Sequence, residues 1–234
     1  LYLLASAKSS GVKIKFKDRE IEVSDLENFD FSKADITFFS AGGKISEKYV
    51  SAAAKHTVVI DNSSYFRMDP DVPLIVPQVN SKEIKNMKKN ILANPNCSTA
   101  QLVIVLKNLN DNFKIKRLVI STYQSTSGAG KKPMDELLNQ TKKALESKEI
   151  KSENFTKQIA FNAIPHIDKF STDGYTKEEI KMIQESNKIL GSNIDITATC
   201  VRIPVLVSHA ESVNVEFENE APIDKVIEIL NQSP

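Results

Sequence analysis

Two cysteines in 234 residues are too few for a disulfide framework, so a reducing compartment, the cytoplasm, is the expectation. An excess of charge is also missing. The formal net charge is +1, so nothing points to nucleic acid or an anionic membrane as the main partner. No apolar run approaches the roughly 20 residues that a membrane span requires. Internal repeats and low-complexity segments do not stand out. The chain opens on Leu1, within an apparent strand, rather than on methionine, and it stops at Pro234 just after a helical pattern. We expect both ends to be cut, which deprives a missing leader of meaning. The length suffices for a large core and one or two domains.

What is present is alternation. "LYLLAS", "VKIKFKDREIEV", "ADITFFSAGG", "TVVIDNSS" and "PLIVPQV" read as strands. "SEKYVSAAAKH" intervenes as a helix, with Ser46 as its N-cap. Continuous apolar strands separated by helices predict a parallel sheet covered on both faces. Such sheets bind ligands at the carboxyl ends of their strands, where Gly42-Gly43 and Asn62 to Ser64 fall. From Cys97 onward the pattern becomes α+β. "STAQLVIVLKNL" carries a helical stripe, and "KIKRLVISTYQSTSGAG" is a long strand running into a glycine loop. Pro133 opens a helix reaching about Leu145, and "TKEEIKMIQESNKIL" is another. "DITATCVRIPVLVSHAESVNVEFE" is a long β stretch, and Pro222 starts a final helix.

Cys97 stands where the chain changes direction. Ser98 and Gln101 form an S-x-x-Q capping box, predicting a helix that starts at Ser98. That places Cys97 at the positive end of a helix dipole, where free N–H groups favour thiolate over thiol and can hold an oxyanion. A nucleophile and a buried, inert thiol both fit this spacing.

"NPNCSTAQL" resembles the active-site signature of aspartate-semialdehyde dehydrogenases. The likeness continues, in the family's order, through "LLASAKSSG", "SAGG", "VVIDNSSYFRMDPDVPLIVPQVN", "YQSTSGAG", "FNAIPHID", "EEIKM" and "CVRIPVLVSHAES". The resemblance implies an α/β chain in two parts. A Rossmann-like NADP-binding parallel sheet would span residues 1–97, without the family's first glycine-rich strand, loop and helix. An α+β catalytic and dimerisation domain would span 98–234, also without its end. The chain would then be the central part of a longer one, binding NADP weakly and turning over little by itself.

The family reduces L-aspartyl 4-phosphate to L-aspartate 4-semialdehyde with NADPH, releasing phosphate, in the biosynthesis of lysine, threonine, methionine and, in bacteria, diaminopimelate. The resemblance makes Cys97 the nucleophile, His209 the acid/base and Gln124 the residue that orients the acyl group. It makes Arg202 the clamp on the substrate carboxylate, a task suited to the guanidinium fork. Arg202 and His209 are seven residues apart and would face opposite sides of an unbroken strand, so a break is required, and Pro204 supplies one. Glu178 and Lys181 would meet the substrate amino group and phosphate. Thr176 and Glu179 form a capping box, which leaves Glu178 as the functional acid. Arg67 would contact phosphate, and Asn96 would bind phosphate or fix the cysteine turn. His166 is read as structural or as a residue supporting the site from behind.

On the cofactor side, Ser6, Lys8 and Ser9 resemble the segment that holds the 2′-phosphate of NADP, although the family often has arginine where this chain has Lys8. Ser40, Ala41, Gly42, Gly43 and Asn62 would line the rest of the dinucleotide, with Ser127 and Gly128 beside the nicotinamide. The resemblance further implies a homodimer or dimer of dimers, with no metal, nucleic-acid or membrane partner. Three alternatives remain: a reductase of another acyl phosphate such as N-acetyl-glutamyl phosphate, a thiol hydrolase using Cys97 and His209, and a catalytically silent paralogue acting as an assembly module.

Overall fold

A computed structural model describes residues 1–233; Pro234 lies outside the described residues. Strand β1 (Leu3–Ala5) runs parallel to β3 (Arg19–Asp25), and β2 (Lys13–Phe16) pairs antiparallel with β3. "VKIKFKDREIEV" is therefore a hairpin and not one strand. Lys17 takes a positive φ of 53° at its turn, which reverses the chain. A second sheet is wholly parallel, with β5 (Val58–Asp61) between β4 (Ile36–Phe39) and β6 (Ile91–Ala93). Helix α1 (Gly43–Ala53) connects β4 to β5. A groove of about 600 Å³ separates the free edges of β1 and β4 and is lined by Tyr2, Leu4, Phe29, Ile36 and Phe38.

"PLIVPQV" gives only a single bridge, Leu74 to Ala93, before Pro77 turns it into the short helix α2 (Pro77–Asn80). Helix α3 (Cys97–Phe113) leads into β7 (Ile115–Gln124). Then follow α4 (Lys131–Leu145), α5 (Lys177–Leu190), β8 (Asp195–Arg202), β9 (His209–Phe217) and α6 (Ile223–Asn231). In the third sheet β7 is central, parallel to β8 and antiparallel to β9.

Three expected helix starts need correction. Ser46 does not cap α1. Gly42 does, at φ 89°, and Ser46 is buried one turn in, donating to Asp61 Oδ1 at 2.8 Å. The left-handed backbone at Gly42 admits a glycine where a serine would be strained. Helix α3 starts at Cys97 rather than Ser98, because the Asn96 side chain accepts from the Ser98 and Thr99 N–H groups. Helix α4 starts at Lys131, with Pro133 inside its first turn, where a missing N–H costs nothing. The Thr176–Glu179 capping box forms as predicted.

Helices α3 and α5 each serve two cores. Val103 and Ile189 pack with Val50, Val59 and Ile91 against the second sheet. Leu102, Leu106 and Met182 pack with Leu118, Ile120 and Ala198 against the third. Residues of one helix therefore reach both sheets, so the ends of α3 and α5 are fixed relative to the strand ends of the second and third sheets.

Candidate active site

The row at the end of the third sheet brings three predicted residues together. Gln124 closes β7, Arg202 closes β8 and His209 opens β9, and the register pairs Gln124 with both of the others. The run between Arg202 and His209 is broken, as the spacing required. Residues 203–208 cross over the end of β7, tied down where the Thr126 and Ser127 N–H groups donate to Val205 and Leu206 carbonyls. Arg202 and His209 therefore flank Gln124 instead of pointing apart.

Gln124 is almost fully buried and satisfied. Its Nε2 donates to Glu178 Oε1 at 3.1 Å, and its Oε1 accepts from Thr122 Oγ1 at 3.0 Å. Glu178 Oε1 also accepts from Asn96 Nδ2 at 2.9 Å, while its Oε2 takes Lys181 Nζ at 3.1 Å. Burial alone would raise the Glu178 pKa. The Lys181 ammonium with the Asn96 and Gln124 amides outweighs it, so the carboxyl sits below the usual range. Lys181 is raised by the same logic, because Glu178 and Asp168, the latter at 3.1 Å, overcome its burial. Glu178 thus joins the cysteine turn, the strand row and α5 in one polar cluster.

Cys97 is exposed, and Cys200 is wholly buried on β8. The dipole does not leave Cys97 ionised. Burial and then the Glu178 carboxylate push its thiol above the ordinary value, and the Ser98 N–H pulls the other way without prevailing. The residue reaches solvent, which softens the effect of burial and leaves the Glu178 charge as the firmer cause. This direction is opposite to the one expected from the helix dipole alone.

The His209 ring is held at Nδ1, which accepts from the Ser125 N–H at 3.0 Å, with Ser125 Oγ at 3.1 Å. An N–H donor at Nδ1 fixes the neutral tautomer with its proton on Nε2. Burial first, and the Arg202 charge with it, lower the imidazole pKa. Burial also lowers that of Arg202, whose Nη1 donates to the Ser125 carbonyl. Gly128 explains itself here. A Cβ at this position would stand 3.2 Å from His209 Nε2 and 3.5 Å from Arg202 Nη1. Ser127 contributes its Oγ, 2.9 Å from Ser125 Oγ.

Arg67 is placed differently from a free phosphate contact. Its Nε donates to the Asn94 carbonyl, Nη2 to the Asn62 carbonyl and Nη1 to Glu185 Oε1, at 2.9, 3.1 and 3.0 Å. Glu185 and Asp168 were not singled out from sequence. Glu185 follows Glu178 by seven residues, two helical turns along one face, which is the signal that would have found it. Asp168 carries no such signal. His166 stacks on Phe170 at 4.5 Å between ring centroids, in keeping with a structural residue.

The cofactor set divides. Ser6 and Ala41 line one cavity of about 400 Å³ with Tyr49, Asp25 and Glu27. Lys8 and Ser9 are exposed in the adjoining 3-10 turn. Asn62 donates to Ser40 Oγ at 3.3 Å and accepts from Asn94 Nδ2 at 2.6 Å, which links two strand ends to the cysteine turn. Gly42 and Gly43 present the free N-terminus of α1.

Residues 1–87 match the family model described as semialdehyde dehydrogenase, NAD binding domain, and residues 106–234 the one described as semialdehyde dehydrogenase, dimerisation domain. The chain is 49% identical over 243 residues to an aspartate-semialdehyde dehydrogenase of Helicobacter pylori (strain ATCC 700392 / 26695), covering 99% of this chain and 70% of that protein. This chain belongs to the aspartate-semialdehyde dehydrogenase family. An aspartate-semialdehyde dehydrogenase of Aquifex aeolicus (strain VF5) is 51% identical, over 100% of this chain and 70% of its own. The crystal structure of aspartate semialdehyde dehydrogenase II from Vibrio cholerae superposes with a TM-score of 0.96 at 46% identity, over 99% of this chain and 70% of that one. A second structure of that dehydrogenase, complexed with ASA, matches equally well. The Candida albicans aspartate semialdehyde dehydrogenase with NADP has a TM-score of 0.70 at 26% identity, over 99% of this chain and 68% of that one. Family membership accounts for the parallel sheet followed by an α+β part.

Proposed function

We propose that this chain carries the centre for reductive dephosphorylation of L-aspartyl 4-phosphate to L-aspartate 4-semialdehyde, with residues 1–97 for the cofactor and 98–234 for catalysis and dimerisation. The Arg202–Gln124–His209 row, joined to the Cys97 turn through Glu178, carries the reading. A clamp for carboxylate, a carboxylate for an amino group and a sulfur nucleophile meet at one end of the sheet. Together they suit an amino-acid acyl phosphate.

Cys97, once its proton has left, attacks the acyl carbon, and phosphate departs to leave a thioester. The Cys97 N–H, which the Asn96 cap leaves open at the start of α3, donates to the oxyanion of each tetrahedral species. His209 exchanges a proton with the oxygen of the thiohemiacetal, which collapses to aldehyde and regenerates the sulfur. Arg202 holds the substrate carboxylate, Glu178 the amino group and Lys181 the phosphate. Gln124 aligns the acyl group.

The cofactor fit rests on the open α1 N-terminus and the adjoining cavity. Asp25 spends its carboxylate on the Glu27 N–H and Asn28 amide, and Glu27 pairs with Lys48, so neither offers a free acid to a ribose hydroxyl. Ser6, Lys8 and Ser9 would hold a 2′-phosphate, Ser40 to Gly43 and Asn62 the dinucleotide, and Ser127 and Gly128 the nicotinamide face. NADPH, when bound, supplies the hydride.

A homodimer or dimer of dimers is supported by the third sheet. α3 and α5 cover one face, while Tyr123, Ala210 and Ser212 lie exposed on the other. A cytoplasmic setting in lysine, threonine, methionine and diaminopimelate biosynthesis agrees with this chemistry, and no described helix is long and apolar enough to cross a membrane.

The test is phosphate-dependent reduction of NADP by the full-length protein with aspartate semialdehyde. Turnover that vanishes in Cys97→Ser is expected. Turnover without phosphate, or faster turnover of N-acetyl-glutamate semialdehyde, overturns the assignment.

A further inference from the structure

We propose that Glu185 is the positioning residue of the cysteine turn, holding Asn96 and Arg67 together so that the N-terminus of α3 is presented in one fixed pose. The inference rests on the function proposed above, but its geometry stands apart from it. Glu185 is only 1% exposed, and its two oxygens are divided between two elements. Oε2 accepts from the Asn96 N–H at 2.7 Å and Oε1 from Arg67 Nη1 at 3.0 Å. Arg67 in turn holds the Asn94 carbonyl through Nε. The two peptide units on either side of Pro95, just before Asn96 and Cys97, are therefore gripped: a carbonyl by Arg67, an N–H by Glu185.

The grip reaches the sulfur through Asn96. With its backbone fixed by Glu185, the Asn96 side chain caps α3 at the Ser98 and Thr99 N–H groups. The Ser98 N–H also lowers the Cys97 pKa against burial and Glu178. Displacing the turn weakens that help and leaves the two opposing causes in place. The hydrogen bonds of Glu185 go to Arg67 and Asn96 and, among the described residues, not to the sulfur, Gln124, Arg202 or His209, so its influence passes through the turn. Arg67, Lys181 and Lys188 are charged groups that face Glu185, and Glu178 and Arg202 are those that face Cys97. Burial holds the Glu185 carboxyl above the usual range in spite of Arg67, so its charge depends on that partner.

The experiment is the pH dependence of Cys97 alkylation by iodoacetamide in wild type and Glu185→Gln. Cys200 is fully buried, with its thiol pushed up to about 12, and stays silent. Loss of the turn's pose raises the midpoint of the profile and slows alkylation at pH 8 by roughly threefold or more, up to the ~100-fold that misplacement of a reacting group can cost. A midpoint that falls means Glu185 acts only as a nearby negative charge, and an unchanged profile with a lowered melting temperature means it is only structural; either overturns the proposal. Should Glu185→Gln fail to fold, Arg67→Lys releases Asn94 while keeping the positive charge and must give the same upward shift. Alkylation needs no substrate, so wild-type protein inactive on aspartate semialdehyde would refute the proposed function and leave this result standing.

Discussion

Two side chains beside the sheet row show how single atoms set the chemistry. Gly128 lies so near His209 that a methyl group would press on the imidazole, while only touching Arg202. Gly128→Ala is expected to lower kcat by about tenfold or more through displacement of the imidazole, with a thermal midpoint close to that of wild type. Steady-state kinetics beside a melting curve check this. Glu211 lies two residues after His209 on β9, with Oε1 unpartnered among the described residues, and burial pushes its pKa up to about 7. The folded state then holds a proton that the unfolded chain releases near 4.5. Stability contributed by the protonated form is therefore lost as pH rises from the unfolded value through about 7. Denaturant titrations from pH 5 to 8 should show this decline in wild type and not in Glu211→Gln.

At the scale of elements, the start of α3 is the most informative. Asn96→Ala removes the cap from Ser98 and Thr99 and a donor from Glu178, so we expect a loss of about 2 kcal/mol, the upper end for a cap. Ser98 Oγ is buried without a hydrogen-bond partner among the described residues, so Ser98→Ala should be near neutral. Urea unfolding of the two variants distinguishes the caps, and a larger loss for Ser98→Ala would reverse the assignment. The S-x-x-Q pattern misled here because a short polar side chain one residue before Cys97 competes for the same N–H groups. Propensity ranks asparagine and serine alike as caps, so only geometry separates them. The strand-and-helix alternation was legible because period and burial agree, as in β5 and β7. "PLIVPQV" was not, because Pro77 withholds the N–H that a longer strand would need.

Across the whole molecule, the row of Gln124, Arg202 and His209 was legible as motifs, but its geometry was not. Placing β8 and β9 on opposite sides of β7 depends on long-range pairing that local sequence does not encode. Arg67 is the opposite case: its residue type was noted, yet its carbonyl and Glu185 partners come from distant segments. Tyr123 is exposed on the open face of the third sheet, so association through that face is expected to bury it. Tyr123→Glu should convert a dimer to monomer in sedimentation velocity while circular dichroism stays unchanged; a persistent dimer would move the interface elsewhere.

The groove between β1 and β4 has a practical consequence. Along it, β1 and β4 each present a strand edge that no described strand pairs with, and Phe38, 75% exposed, stands at the rim. A foreign extended peptide finds hydrogen-bonding on both flanks and an oily wall beside it. Kept concentrated as this polypeptide alone, the molecule should recruit its neighbours there and cloud with time, and a lysine in place of Phe38 should keep the solution clear.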